Sequence, residues 1–167
     1  MKIRLDRLYE GEHRLAHRIE PGDLELDSSY FFDPIDIVIH WDRRDPNIRL
    51  RFDIFTQRQS QCDRCLDDVT LAIETQAELL VQLREEVPKD MEDSDYKVVS
   101  PSEVEIDFTV DVRDAILLAV PLKILCDEDC KGLCSHCGAN LNDGPCDCQS
   151  ETKNPQWEAL QKLKNNR

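Results

Sequence analysis

The chain has 167 residues, of which 40% are apolar and 34% charged, and its formal net charge is −14. That length fits one domain with at most a small appendage, and it is enough to bury a core. A field this negative repels polyanions at long range, so no DNA partner is expected and any RNA contact must be local or shared with a basic protein.

The first residues, Met1-Lys2-Ile3-Arg4-Leu5-Asp6-Arg7, are charged and lack the apolar run of a secretory signal. The longest apolar stretch, Ala115 to Leu122, has 8 residues, against the roughly 20 that span a bilayer. These features predict a cytoplasmic protein with no membrane partner, in which thiols stay reduced and clustered cysteines favour metal over disulfides.

Lys2 to Leu5 can form one strand, within a first thirty residues whose pattern is weak. From residue 34 to 83 the apolar positions alternate: Ile35, Ile37, Ile39 and Trp41, then Ile48, Leu50, Phe52 and Ile54, then Val69 to Leu83 on one parity. Period two means one buried and one wet face, which predicts an antiparallel β-meander. Asp42 to Asn47 is a turn, and Gln59 to Asp68 is a loop carrying two cysteines. Residues 85–102 are acidic and punctuated by Pro88 and Pro101, the composition of a loop. Glu103 to Asp107 is a candidate short strand. Asp107 then caps a helix that runs to about Val120, where Pro121 forbids continuation. A second helix is signalled by Asn154-Pro155 followed by Trp157, Leu160 and Leu163 on one face. The expected fold is α+β: an antiparallel β-meander sheet, two helices and a cysteine-rich zinc-binding C-terminal lobe. Its expected division is a core over residues 1–125, a lobe over 126–150, and a C-terminal helix over 151–167 packed on the core.

The eight cysteines fall in pairs: Cys62 and Cys65, Cys126 and Cys130, Cys134 and Cys137, Cys146 and Cys148. Eight thiols make two complete tetrahedral sets, so the implied cofactor is Zn²⁺ at two sites. Cys134-Ser135-His136-Cys137-Gly138 has the form of a zinc knuckle, and Cys146-Asp147-Cys148 follows after the turn Asn142-Asp143-Gly144-Pro145. These four close one local site. Cys62, Cys65, Cys126 and Cys130 then form the other, tying a hairpin loop to the segment beyond Pro121. Asp63, Asp67, Asp68, Asp127, Glu128 and Asp129 surround that second set with negative charge, which raises thiol pKa values unless a cation offsets it. Closed Cys₄ sites are structural, and no catalytic constellation accompanies them, so the chain is read as a non-enzyme. His136 is left as a spectator.

Residues 85–129 hold 14 acidic against four basic residues. The one basic concentration is a run of arginines over 41–64. Arg49, Arg51, Arg58 and Arg64 are candidate RNA contacts, since a guanidinium suits bidentate phosphate binding. The alternative is that the same residues form a solvated sheet face paired with an acidic neighbouring strand.

Several segments together resemble the YceD family of bacterial and plastid proteins linked to accumulation of large-subunit ribosomal RNA. They are Cys62-Asp63-Arg64-Cys65-Leu66, Ile116-Leu117-Leu118-Ala119-Val120-Pro121 leading into Cys126, and Cys130-Lys131-Gly132-Leu133-Cys134. Cys137-Gly138-Ala139-Asn140-Leu141-Asn142, Cys146-Asp147-Cys148 and Asn154-Pro155-Gln156-Trp157 complete the set. The resemblance implies a ribosome-biogenesis factor that supports accumulation or processing of large-subunit rRNA. Its partner would be that rRNA or its precursor particle, reached directly or through a basic ribosomal protein. The alternative is an acidic, zinc-stabilised adaptor or chaperone for such a basic protein.

Overall fold

The computed structural model describes residues 1–85 and 96–148. Seven strands and one α-helix are formed there, in the order β1 (Lys2–Arg4), β2 (Gly11–Ile19), β3 (Ile35–Arg44), β4 (Asn47–Gln61), β5 (Asp68–Leu83), β6 (Tyr96–Val99), β7 (Glu105–Asp107) and α1 (Thr109–Ala119). Five strands make one sheet in the order β2-β3-β4-β5-β6, and β1 pairs with β7 in a second, two-stranded sheet.

Alternation explains the central strands. Ile35, Ile37, Ile39 and Trp41 on β3, Ile48, Leu50, Phe52 and Ile54 on β4, and Ile73, Leu79, Val81 and Leu83 on β5 are all buried on one face. Against that face pack Val112 and Ile116 of α1, with Met1, Leu5, Leu8, Ile106 and Phe108 from the neighbourhood of the small sheet. Phe52 and Phe108 meet with ring centres 5.3 Å apart. Leu24 and Phe31, from the segment between β2 and β3, close the same core. Fully burying each such side chain stabilises by roughly 1.5–3 kcal/mol, so this interlocked face is the main source of stability.

The expected α+β meander with two helices is corrected. The five-stranded sheet is mixed, because β6 lies parallel to β5, with Leu80 opposite Tyr96 and Leu83 opposite Val99. A hairpin return gives an antiparallel neighbour, whereas a parallel one needs the chain to cross back to the starting end first. β6, at Tyr96–Val99, falls inside the expected 85–102 loop, so part of that loop is strand. β2 is also an addition. Its residues are exposed from Glu12 to Arg18, and an edge strand wet on both faces carries no alternation to read. α1 is the single α-helix among the described residues, and the helix predicted from Asn154-Pro155 lies outside them. No helix among the described residues is long and apolar enough to cross a membrane.

Candidate metal centre and nucleic-acid interface

β4 and β5 run on as a long hairpin whose last pair is Gln61 with Asp68, and the loop beyond it carries Cys62 and Cys65. Cys62 N–H donates to Asp67 O at 2.8 Å, Leu66 N–H to Cys62 O at 2.9 Å, and Arg64 N–H to the Cys62 sulfur at 3.4 Å. The loop at Cys134 repeats this skeleton. Cys134 N–H donates to Ala139 O at 2.8 Å, Gly138 N–H to Cys134 O at 2.9 Å, and His136 N–H to the Cys134 sulfur at 3.4 Å. The residue after the second cysteine takes positive φ in both, 64° at Leu66 and 73° at Gly138. The two loops are the same knuckle built twice, one with glycine at the left-handed position and one with leucine.

These knuckles gather the eight thiols into two quartets: Cys62, Cys65, Cys126 and Cys130, and Cys134, Cys137, Cys146 and Cys148. Within each quartet all four sulfurs lie within 4.8 Å of one another. The sulfurs of Cys62 and Cys130 are 3.7 Å apart and those of Cys65 and Cys126 are 3.5 Å apart. Zn–S bonds of about 2.3 Å in a tetrahedron set sulfurs about 3.8 Å apart, so the donor set and its spacing fit such an ion. The quartets could each hold a metal. Cys62, Cys65 and Cys130 are buried, with Val69, Leu125 and Leu133 packed around them, while Cys137 and Cys148 of the other quartet are exposed.

Thiol electrostatics point to the same fit. Burial pushes the Cys62 thiol up, but the backbone N–H groups of Cys65, Arg64 and Cys126 outweigh it and bring it down to about 6. The Asn142 amide lowers Cys130. The N–H of Asp67 pulls Cys65 down, yet burial and the neighbouring Asp67, Cys62 and Cys126 side chains leave it raised. In the second quartet the N–H groups of Cys137 and His136 hold Cys134 at about 6, while the Cys137 thiol pushes Cys148 up to about 12. Each quartet thus favours one or two thiolates and resists more, which is the condition a bound dication relieves.

Side chains that the sequence offered only as charge or turn formers join the two knuckles. Asp63 clamps the incoming chain from both sides, its N–H donating to Ile124 O at 2.8 Å and its carboxylate accepting from Ile124 N–H at 2.6 Å. Asn142 donates to the Cys130 sulfur at 3.3 Å and accepts from Lys131 N–H at 2.7 Å, and Asn140 donates to Asp67 at 2.9 Å. Gly132, with φ of 76°, passes so close to Arg64 that a Cβ there would lie 3.0 Å from the Arg64 carbonyl oxygen. The acids flanking the cysteines are therefore loop clamps as well as a field. Their signal in the sequence is the Asx residue set next to each cysteine pair, a type that bonds backbone N–H groups in turns.

The four candidate arginines do not form one strip. Arg49 and Arg51 lie on the outer face of β4, and Arg51 is 3.1 Å from Asp53, with Glu78 opposite it on β5. Arg64 is committed to the cysteine lobe, donating to Cys130 O at 2.6 Å. Arg58 has the opposite parity from Arg49 and Arg51, and its guanidinium sits 4.7 Å from the ring centre of Tyr30.

The fold and the two quartets define a predominantly β protein with a cysteine lobe built on two knuckles. The family model described as large ribosomal RNA subunit accumulation protein YceD matches residues 50–164. The chain belongs to the YceD family. It is 41% identical over 73 residues to the chloroplastic large ribosomal RNA subunit accumulation protein YCED homolog 1 of Arabidopsis thaliana, covering 43% of this chain and 23% of that protein. It is 48% identical over 46 residues to the homolog 1 of Zea mays, covering 27% of this chain and 16% of the relative. The matched stretch is thus under a quarter of the length of these curated relatives. No solved structure matches the chain.

Proposed function

We propose that this protein is a ribosome-biogenesis factor that supports accumulation or processing of large-subunit rRNA, with two Zn²⁺ ions as structural staples and no reaction of its own. The observation that carries this is the family match over residues 50–164, which takes in most of β4, all of β5 and both cysteine quartets. Thiolate donors favour zinc over harder divalent ions. Four protein ligands per ion leave no open coordination position for substrate, which supports a binding role over a catalytic one. The partner is large-subunit rRNA or its precursor particle. The protein acts in the soluble compartment where large subunits assemble, cytoplasmic on the reading of its own sequence and chloroplastic for the plant relatives.

A second reading is favoured by the charge. With a net −14, and 14 acids against four bases over residues 85–129, the protein could shield a basic ribosomal protein and affect rRNA indirectly. This reading requires tight, salt-sensitive binding to such a protein and none to naked rRNA. Deleting the gene and measuring the ratio of large- to small-subunit rRNA tests the common claim. The ratio should fall, and the intact chain supplied in trans should restore it. An unchanged ratio would remove the function altogether.

A further inference from the structure

Tyr30, Phe31 and Phe32 are three aromatic residues in a row, and the fold treats them differently. Phe31 is buried in the core, whereas Tyr30 is 44% and Phe32 62% exposed. The turn that presents them is held firmly. Asp27 accepts from Ser29 N–H through its carboxylate at 2.8 Å, and its carbonyl accepts from Tyr30 N–H at 3.0 Å and Phe31 N–H at 3.1 Å. Tyr30 O in turn accepts from Gln59 N–H at 2.8 Å, fastening the turn to the far end of β4. Large apolar rings fixed outward on both sides of a buried anchor are not explained by folding.

Arg58 lies between these rings and the hairpin tip. Its guanidinium stacks on Tyr30 and uses one N–H on Ser60 Oγ at 3.3 Å. Among the described residues no carboxylate pairs with it, in contrast to Arg51. Tyr30, Phe32, Arg58, Ser60, Gln61 and Asp68 line one shallow cleft of about 600 Å³, which leads toward the first cysteine knuckle. In a protein this acidic, a cation with no ion-pair partner among those residues, stacked on one exposed ring and near a second, stands out locally, with Asp68 at the far side of the same cleft.

We infer that Tyr30, Phe32 and Arg58 form a platform for an unstacked base of single-stranded RNA, with Arg58 reaching the adjoining phosphate. Aromatic and guanidinium faces take any base by stacking, and a cation beside them meets the backbone. Unpaired segments of a maturing rRNA supply that ligand, so the inference rests on the proposed function and adds to it the form of RNA and the residues that hold it. Tyr30 and Phe32 precede the stretch that matches the family, whereas Arg58 lies within it, so the platform joins this chain's N-terminal part to the matched region.

The test is fluorescence anisotropy of the full-length, zinc-loaded protein with a labelled single-stranded RNA of about 12 nucleotides, within the site sizes of single-strand binders, and with its duplex. The single strand should bind and the duplex should bind much less. Tyr30→Ala and Phe32→Ala should each weaken binding about 5- to 100-fold, the loss of one stacked base, while Phe32→Tyr retains it. Arg58→Ala should also make the dependence of log affinity on log salt shallower by about 0.7. Absence of single-strand binding, equal binding of the duplex, or alanine variants that match the wild type would each overturn the platform. So would Tyr30 and Phe32 proving necessary only for capture of a basic ribosomal protein. Failure here alongside an rRNA ratio that falls on deletion removes the platform alone. Intact platform binding with an unchanged ratio removes the biogenesis role alone.

Discussion

Gly132 shows how one residue holds the cysteine lobe together. Its φ of 76° and the 3.0 Å approach to Arg64 O leave no room for a side chain. Gly132→Ala should therefore destabilise the zinc-loaded protein by about 1–2 kcal/mol from the left-handed backbone alone, with the contact adding to it. Urea unfolding would read this, and a variant as stable as the parent would contradict the close approach. Leu66 is the converse case. It occupies at φ of 64° the position that Gly138 fills in the other knuckle, and it is exposed, so no packing offsets the strain. Leu66→Gly should leave the protein unchanged or raise its stability by up to about 1 kcal/mol. Such features are illegible in sequence, because the equivalence of Leu66 and Gly138 appears only once the two knuckles share a hydrogen-bond skeleton. The cysteine spacing, by contrast, already paired Cys62 and Cys65 with Cys126 and Cys130, since local closure of the other four leaves no other set.

At the level of elements, what could be read followed burial. β3, β4 and β5 bury one face and so print an alternation, while β2 is wet on both sides and β6 is four residues that depend on β5 for their place. Asp107 is the expected cap of α1, and it stands one position before the cap that forms. Phe108 is the capping residue, and the Asp107 carboxylate accepts from Thr109 N–H at 2.8 Å. The Thr109 hydroxyl and N–H hold Asp107 below its ordinary value of 3.8. The stabilisation is therefore complete above that value and is lost as pH falls through the lower folded one. Asp107→Ala should cost about 1 kcal/mol at neutral pH, and the gap from wild type should narrow in acid. A gap that stayed constant with pH would assign the effect to something other than the carboxylate. The quartets are separable elements too. The loaded protein should contain two zinc ions per chain by metal analysis. Replacing Cys134 and Cys137 with serine should remove one and leave the sheet folded. Replacing Cys62 and Cys65 should remove the other and also free the 124–130 segment from the hairpin, with a larger loss of stability. Equal losses from the two pairs would contradict this division.

The whole molecule combines a small β core, a lobe of joined knuckles and an acidic surface whose arginines are mostly spent internally. Each Cys₄ site with Zn²⁺ carries about −2, so metal deepens the net −14 rather than relieving it. On the proposed function, association with an rRNA precursor would then rest on short-range contacts or on basic proteins already bound there, and long-range steering would work against it. The family resemblance was legible in the order of the cysteine segments, but the Tyr30–Phe32 turn was not. Three consecutive aromatic residues look like core until the fold buries the middle one alone. The most direct measurement is native sedimentation of cell extract, following this protein together with the large- and small-subunit rRNAs. The account predicts that the protein migrates with a large-subunit precursor and not with the small subunit. A protein found wholly free at the top of the gradient, while precursors are present, would contradict it.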